Sequence, residues 1–133
     1  MRIALAQSNP TVGDVDGNLL RLLRHVDDAR ARAGDLVVFH ELCLSRYPPQ
    51  DLLVRRDFMP QCEADLERVR AASARVPGLG IVVGLRHPSR TPTGKGVANA
   101  AVLLADGEIL HRHDKLLLPT YDVFDEARHF EPG

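Results

Sequence analysis

The chain has 133 residues, 44% of them hydrophobic and 26% charged, with 17 basic and 18 acidic side chains giving a net charge of −1. That size and balance suit one soluble globular domain, and the interspersed charges argue against nucleic-acid or membrane-surface binding, both of which favour a basic patch. The N-terminal Met1–Gln7 run is too short for a signal peptide and nothing approaches the ~20 apolar residues that span a bilayer, so no membrane or nucleic-acid partner and a cytoplasmic location are expected.

Arg2 to Gln7, bounded by Ser8-Asn9-Pro10, reads as a buried strand. Asp14 to Asn18 offers helix N-caps, and Leu19, Leu22, Leu23, Val26, Ala29 and Ala33 then recur at helical spacing up to Gly34. Leu36 to Phe39 is a second buried strand. Pro48-Pro49 breaks regularity before a second amphipathic helix with Phe58, Cys62, Leu66, Val69, Ala72 and Val76 on one face, ended by Pro77-Gly78. Leu79 to Leu85 is a third strand, and His87 to Gly96 reads as a surface loop rich in Pro, Ser, Thr and Gly. Val97–Leu104 and Glu108–His113 flank Asp106-Gly107, a hairpin signal. The order β-α-β-α-β-β-β implies an α/β fold with a mixed sheet and helices on one face at least. Leu116 to Gly133 is too apolar for a disordered tail yet shows no helix or strand period, so it is expected to bury against something.

Two charged residues stand where such a fold places its chemistry. Glu41 follows Leu36-Val37-Val38-Phe39, at the carboxyl end of a strand, where α/β ligands bind. Partial loss of water there favours proton uptake, the property a general base needs. Lys115 follows the last strand and could meet a developing oxyanion with a fixed positive charge. A solvated strand-end carboxylate and a strand-flanking lysine fit the same local sequence. Tyr47 and Tyr121, each six residues beyond its charged partner, could wall a pocket or simply pack. Of the two cysteines, Cys43 reads as a buried thiol rather than a nucleophile, and Cys62 as helix core. They have no CxxC spacing and so mark neither a disulfide framework nor a zinc site. His111 and His113 share a strand face but have no evident third ligand, so no metal site is expected. No GxGxxG or GxxxxGK[ST] is present to cradle a phosphate.

Together these segments resemble the carbon–nitrogen hydrolase (nitrilase) superfamily, and within it the glutaminase domains of glutamine-dependent NAD synthetases. The matching stretches are Arg2–Gln7 with Asn9–Asp14, Asp35–Leu53, Asn99–Leu103 and Lys115–Gly133. Tyr47-Pro48-Pro49 with Asp51-Leu52-Leu53, and Val123-Phe124-Asp125-Glu126, are the features similar to the synthetase branch. The resemblance implies an αββα sandwich, of which residues 1–133 would form about the first half, and a Glu-Lys-Cys triad. Glu41 would match the base, Lys115 the oxyanion-stabilising lysine, Glu126 a second, supporting glutamate, and Tyr47 and Tyr121 pocket aromatics. The family's cysteine lies on a later strand, beyond Gly133, so the chain alone is expected to be inactive. It implies glutamine as substrate, and a separate synthetase domain that amidates nicotinic acid adenine dinucleotide with ATP and magnesium. It also implies a homo-oligomer, and no cofactor in this chain. The sequence departs from the family pattern at His40 (usually Pro), Arg46 (Gly), Thr120 (Asn) and Asp122 (Gly), and Ala98 stands where an aromatic often precedes the matched Asn99. Another amidohydrolase of the superfamily with a different substrate, or a truncated non-catalytic chain, are the alternatives.

Overall fold

A computed structural model of the chain describes residues 1–45, 58–91, 94–121 and 125–133. Its elements are β1 (Ile3–Ala6), α1 (Val15–Ala31), β2 (Leu36–Phe39), α2 (Phe58–Ser73), β3 (Gly80–Pro88), β4 (Val97–Ala105), β5 (Glu108–Asp114) and α3 (Glu126–His129). The expected order is thus present, with one short helix added. The strands form a single mixed sheet in the order β1-β2-β3-β4-β5. β1, β2 and β3 run parallel, and β4 and β5 are antiparallel additions.

The register explains the core. Ala4, Val37, Ile81 and Leu104 lie in one row across four strands. Val37, Phe39, Ile81, Val83, Leu85, Ala100, Val102 and Leu104 are all buried on this face. They pack against Leu19, Leu22, Val26 and Ala29 of α1 and Leu66 and Val69 of α2. The helical periodicity of the sequence therefore matches the sheet's alternation, and burial of these side chains is the main favourable term in folding.

Helix α1 starts where Asp14 accepts a hydrogen bond from the Gly17 amide at 3.0 Å. It ends earlier than its apolar spacing implies. Ala33, read from the sequence as part of the helical face, lies beyond the helix at φ +53°, and Ala33 rather than Gly34 adopts the left-handed turn. Gly34 has a different reason to be glycine, since a β-carbon there would come within 3.0 Å of the Ala29 carbonyl oxygen. Val76, though buried, sits in the turn beyond α2 rather than on it. Strand β3 extends three residues past Leu85 because Arg86, His87 and Pro88 pair with Asn99, Ala98 and Val97 of β4. The start of the expected loop is therefore strand. The Asp106-Gly107 hairpin has φ +51° and +82°, the two left-handed residues of a type I′ turn.

The C-terminal segment buries only in part, contrary to expectation: Leu116, Leu117 and Tyr121 are 56%, 85% and 69% exposed, and what does bury has structure that the sequence does not reveal. Phe130 is fully buried, α3 makes a single turn, and Glu131 forms a parallel bridge with Ala98. Four residues are too few to show a period.

Parts of the sheet's second face are open to water, although Gly84, Arg86 and Asn99 on it are buried. On edge strand β1, Ile3 is 47% and Leu5 74% exposed, and Ala101, His111 and His113 are exposed on β4 and β5 at the other side of the sheet. Such a face invites association. The 133-residue chain on its own is expected to show a mass that rises with concentration in sedimentation. A monomer with a sharp, reversible unfolding transition would show that this face needs no cover.

Candidate active site

Three elements converge at the carboxyl ends of β2 and β3. The chain leaves β2 and turns over residues 41–45, with Leu42 buried at φ +49°. The turn closes onto β3, where the Cys43 amide donates to the Gly84 carbonyl at 2.9 Å. Gly84 is obligatory for this contact. A β-carbon there would lie 2.7 Å from the Glu41 Cα and the His40 oxygen, inside any allowed approach. Glycine within an apolar strand marks such a close passage of backbone. From the helix side, buried Asn18 donates to the Leu44 carbonyl at 2.7 Å and so ties α1 to the same turn. His40 bridges as well. Its Nδ1 lies 2.9 Å from the Glu41 carbonyl oxygen, so it must donate there, and Nε2 then accepts from the Ser8 hydroxyl at 2.9 Å.

Lys115 is fixed by β5 and by its neighbour. Asp114 holds Arg112 with both carboxylate oxygens at 2.6 and 2.7 Å. The same guanidinium donates to His87 Nδ1 and to the Pro88 carbonyl on β3. Burial pushes His87 below its ordinary range, which keeps the ring neutral and able to accept from Arg112. This brace spans β4 and sets where the chain enters Lys115.

The side chains then meet. Lys115 Nζ lies 2.8 Å from Glu41 Oε1 and 2.9–3.0 Å from the two oxygens of Glu126. Burial alone would lower the Lys115 ammonium, but its hydrogen bonds to Glu41 and Glu126, and their charges, outweigh it and raise it. Glu126 is 3% exposed, whereas the Glu41 side chain is 43% exposed. Asn99 Nδ2 donates to the same Glu41 Oε1, and the Asn99 carbonyl accepts from the Lys115 amide at 2.8 Å. Glu41, Asn99 and Lys115 line a cleft of about 320 Å³ with Phe39, Val82 and Gly84.

Of the residues anticipated from sequence, Glu41, Lys115 and Glu126 are brought together. Tyr121 is 69% exposed and is not among the residues lining the cleft. Tyr47 lies outside the described residues, as do Arg46 and Asp122. His113 borders the cleft, but no group of three His, Cys, Asp or Glu side chains among the described residues could hold a metal ion. Asn99, matched to the family in sequence but given no role there, and Gly84 also shape the site through their contacts with Glu41. A polar residue within Ala98-Asn99-Ala100-Ala101-Val102 and a glycine within Ile81-Val82-Val83-Gly84-Leu85 were the available signals.

Its surroundings disfavour Cys43 as a nucleophile. It is 4% exposed, and burial pushes its thiol up to about 12, so the reactive thiolate is scarce at neutral pH. An electrophilic glutamine analogue is accordingly expected to leave Cys43 unmodified in the folded chain. A mass adduct mapped to Cys43 under native conditions would make it a nucleophile after all.

Glu41 just past β2, Lys115 just past β5 and Glu126 at the start of α3 thus meet on a mixed α/β sheet, and residues 2–133 match the carbon-nitrogen hydrolase family. The chain belongs to that family. Its relatives include the glutamine-dependent NAD(+) synthetase of Thermotoga maritima, 40% identical over the whole chain but only 22% of that protein. The synthetase of Xylella fastidiosa is 42% identical over 98% of the chain and 23% of that protein. The chain thus spans less than a quarter of the curated relatives it matches. Among solved structures, the glutamine-dependent NAD+ synthetase of Acinetobacter baumannii aligns with a TM-score of 0.83 at 31% identity, covering 98% of this chain and 24% of that one. An amidase from Nesterenkonia sp. also aligns at 0.83, with 26% identity, covering all of this chain and 48% of the amidase. A mutant of that amidase carries the acetamide moiety of fluoroacetamide added covalently at its active-site cysteine.

Among the described residues no helix is long and apolar enough to cross a membrane.

Proposed function

We propose that this chain is the front part of a glutaminase domain in a glutamine-hydrolysing NAD synthetase. The observation that carries the reading is the Lys115 ammonium clasped between the Glu41 and Glu126 carboxylates at the mouth of a cleft. Relatives of that name, about 40% identical along the whole chain, support it.

In this reading the nucleophile is a cysteine thiol carried by protein beyond Gly133. Glu41 takes the thiol proton, and the thiolate attacks the side-chain amide carbon of glutamine. The carbonyl oxygen gains a negative charge that Lys115 meets. Glu41 returns the proton to the departing nitrogen, which leaves as ammonia, and water hydrolyses the remaining thioester to glutamate. Glu126, buried and paired with Lys115, holds the ammonium in place and keeps it charged. Tyr47 and Tyr121 would contact substrate. The ammonia amidates nicotinic acid adenine dinucleotide in a separate synthetase domain of the same protein, and ATP and magnesium belong to that domain. A cytoplasmic homo-oligomer completes the proposal.

A second reading keeps the chemistry and changes the amide. The Nesterenkonia amidase aligns as well as the A. baumannii synthetase does, and Arg46 and Asp122 depart from the synthetase pattern near the expected pocket. Supplying the full-length protein with glutamine labelled at the amide nitrogen separates the two. Label in the carboxamide of NAD supports the synthetase. Hydrolysis of simple amides with no label transfer supports the second reading.

A further inference from the structure

We propose that Asn99 is a positioning residue that commits Oε1 of Glu41 to hydrogen bonding and reserves Oε2 as the oxygen that accepts the nucleophile's proton. The inference rests on the reading of Glu41 as the general base and adds a residue and an atom to it.

Asn99 is 4% exposed, in a strand whose neighbours Ala98, Ala100 and Val102 are buried and apolar. A primary amide there is costly unless its polar atoms are paired. Its Nδ2 donates to Glu41 Oε1. The opposite amide orientation is excluded by chemistry, since a carboxylate oxygen only accepts. Its main-chain carbonyl accepts the Lys115 amide at 2.8 Å. One residue therefore sets both the Glu41 side chain and the Lys115 backbone, which come from distant parts of the chain.

The consequence for Glu41 is asymmetric. Both donors, Asn99 Nδ2 and Lys115 Nζ, fall on Oε1. Two donors on one oxygen draw charge onto it and make it the poorer site for a proton. Oε2 is then the basic oxygen, and the carboxylate cannot rotate to exchange the two without breaking both bonds. Gly84, pressed against the Glu41 Cα, fixes the backbone from below, so the direction of Oε2 is set. General-base catalysis depends on that direction, and a misplacement of about 1 Å can cost ~10²-fold.

The test uses the full-length protein and the pH dependence of glutamine hydrolysis. Asn99→Asp keeps the side chain's shape but sets a second carboxylate beside Glu41. Two carboxylates at that distance resist joint ionisation, so the acid limb of kcat/KM is expected to move to higher pH by about one unit or more. Asn99→Ala is expected to lower kcat by roughly 10²-fold, with KM for glutamine changed far less and the unfolding midpoint used as the check on folding. Glu41→Gln serves as the reference. If it abolishes hydrolysis while Asn99→Asp keeps the wild-type pH profile, or while a folded Asn99→Ala keeps wild-type kcat, Asn99 does not position the base and the inference falls. If Glu41→Gln itself keeps hydrolysis, the base assignment fails first, which is a different result and takes the inference with it.

Discussion

Replacing Glu41 by Gln in the full-length protein is expected to lower glutamine-dependent NAD formation by roughly 10²–10⁴-fold, the usual contribution of general acid–base catalysis. The substitution keeps the shape of the side chain, and the amide oxygen can still accept from Asn99 Nδ2 and Lys115 Nζ, which both point at Oε1. What remains at the other position is an NH2 group that cannot take a proton. The thiol then stays protonated, and the departing nitrogen has no donor. Synthesis from supplied ammonium should continue, because amidation belongs to a different domain in this reading. Steady-state rates with glutamine and with ammonium report the two halves separately. Loss of the ammonium-driven rate to the same degree, in a folded variant, would break the two-site assignment.

Much of this arrangement is legible in the amino-acid sequence because it rests on regular periods. β2 falls on Leu36–Phe39 as expected, since a four-residue apolar run between Gly34-Asp35 and His40-Glu41 leaves little choice. The hairpin at Asp106-Gly107 follows from two residue types that tolerate positive φ. The ends of α1 and β3 were less legible, for tertiary reasons. Pairing with β4 draws Arg86–Pro88 into the sheet despite the proline, and packing rather than residue type makes Ala33 the left-handed residue. α3 carries no period at all, and its one buried residue, Glu126, is tied down by Lys115, a contact that no local pattern announces.

The site divides in the same way. Glu41 and Lys115 were legible because a charged residue within two positions of a strand's end is conspicuous. Their mutual contact was not, since residues 74 apart meet only through the sheet's register. Asn99 and Gly84 were hidden because each fits its strand in size. Their roles come from what crosses over them, the turn at residues 40–42 and the carboxylate of Glu41, and no local pattern encodes a crossing chain.

Lys115→Ala is expected to cost roughly 10²–10³-fold in glutamine hydrolysis, by analogy with the removal of one oxyanion-hole donor, and to destabilise the protein as well. The catalytic loss comes from removing the only cation within hydrogen-bond reach of Glu41 among the described residues. The stability loss comes from Glu126, which is 3% exposed and would be left as a buried carboxylate without its cation. Breaking a fully buried pair costs ~3–5 kcal/mol. Lys115 keeps 32% of its side chain in water, so a smaller loss is expected here. The pH dependence has a definite sign. The folded Lys115 ammonium is raised above its ordinary value, because Glu41 and Glu126 outweigh the lowering by burial. Its contribution is therefore fully present below the ordinary lysine range and is lost as pH rises through the folded value. Unfolding midpoints of wild type and Lys115→Ala should differ by a constant amount across neutral pH and converge only in strongly alkaline solution. A difference that closed between pH 6 and 8 would mean that another group carries the coupling. Ammonium-driven synthesis should survive in the folded variant, and a wild-type rate with glutamine would remove Lys115 from the chemistry altogether.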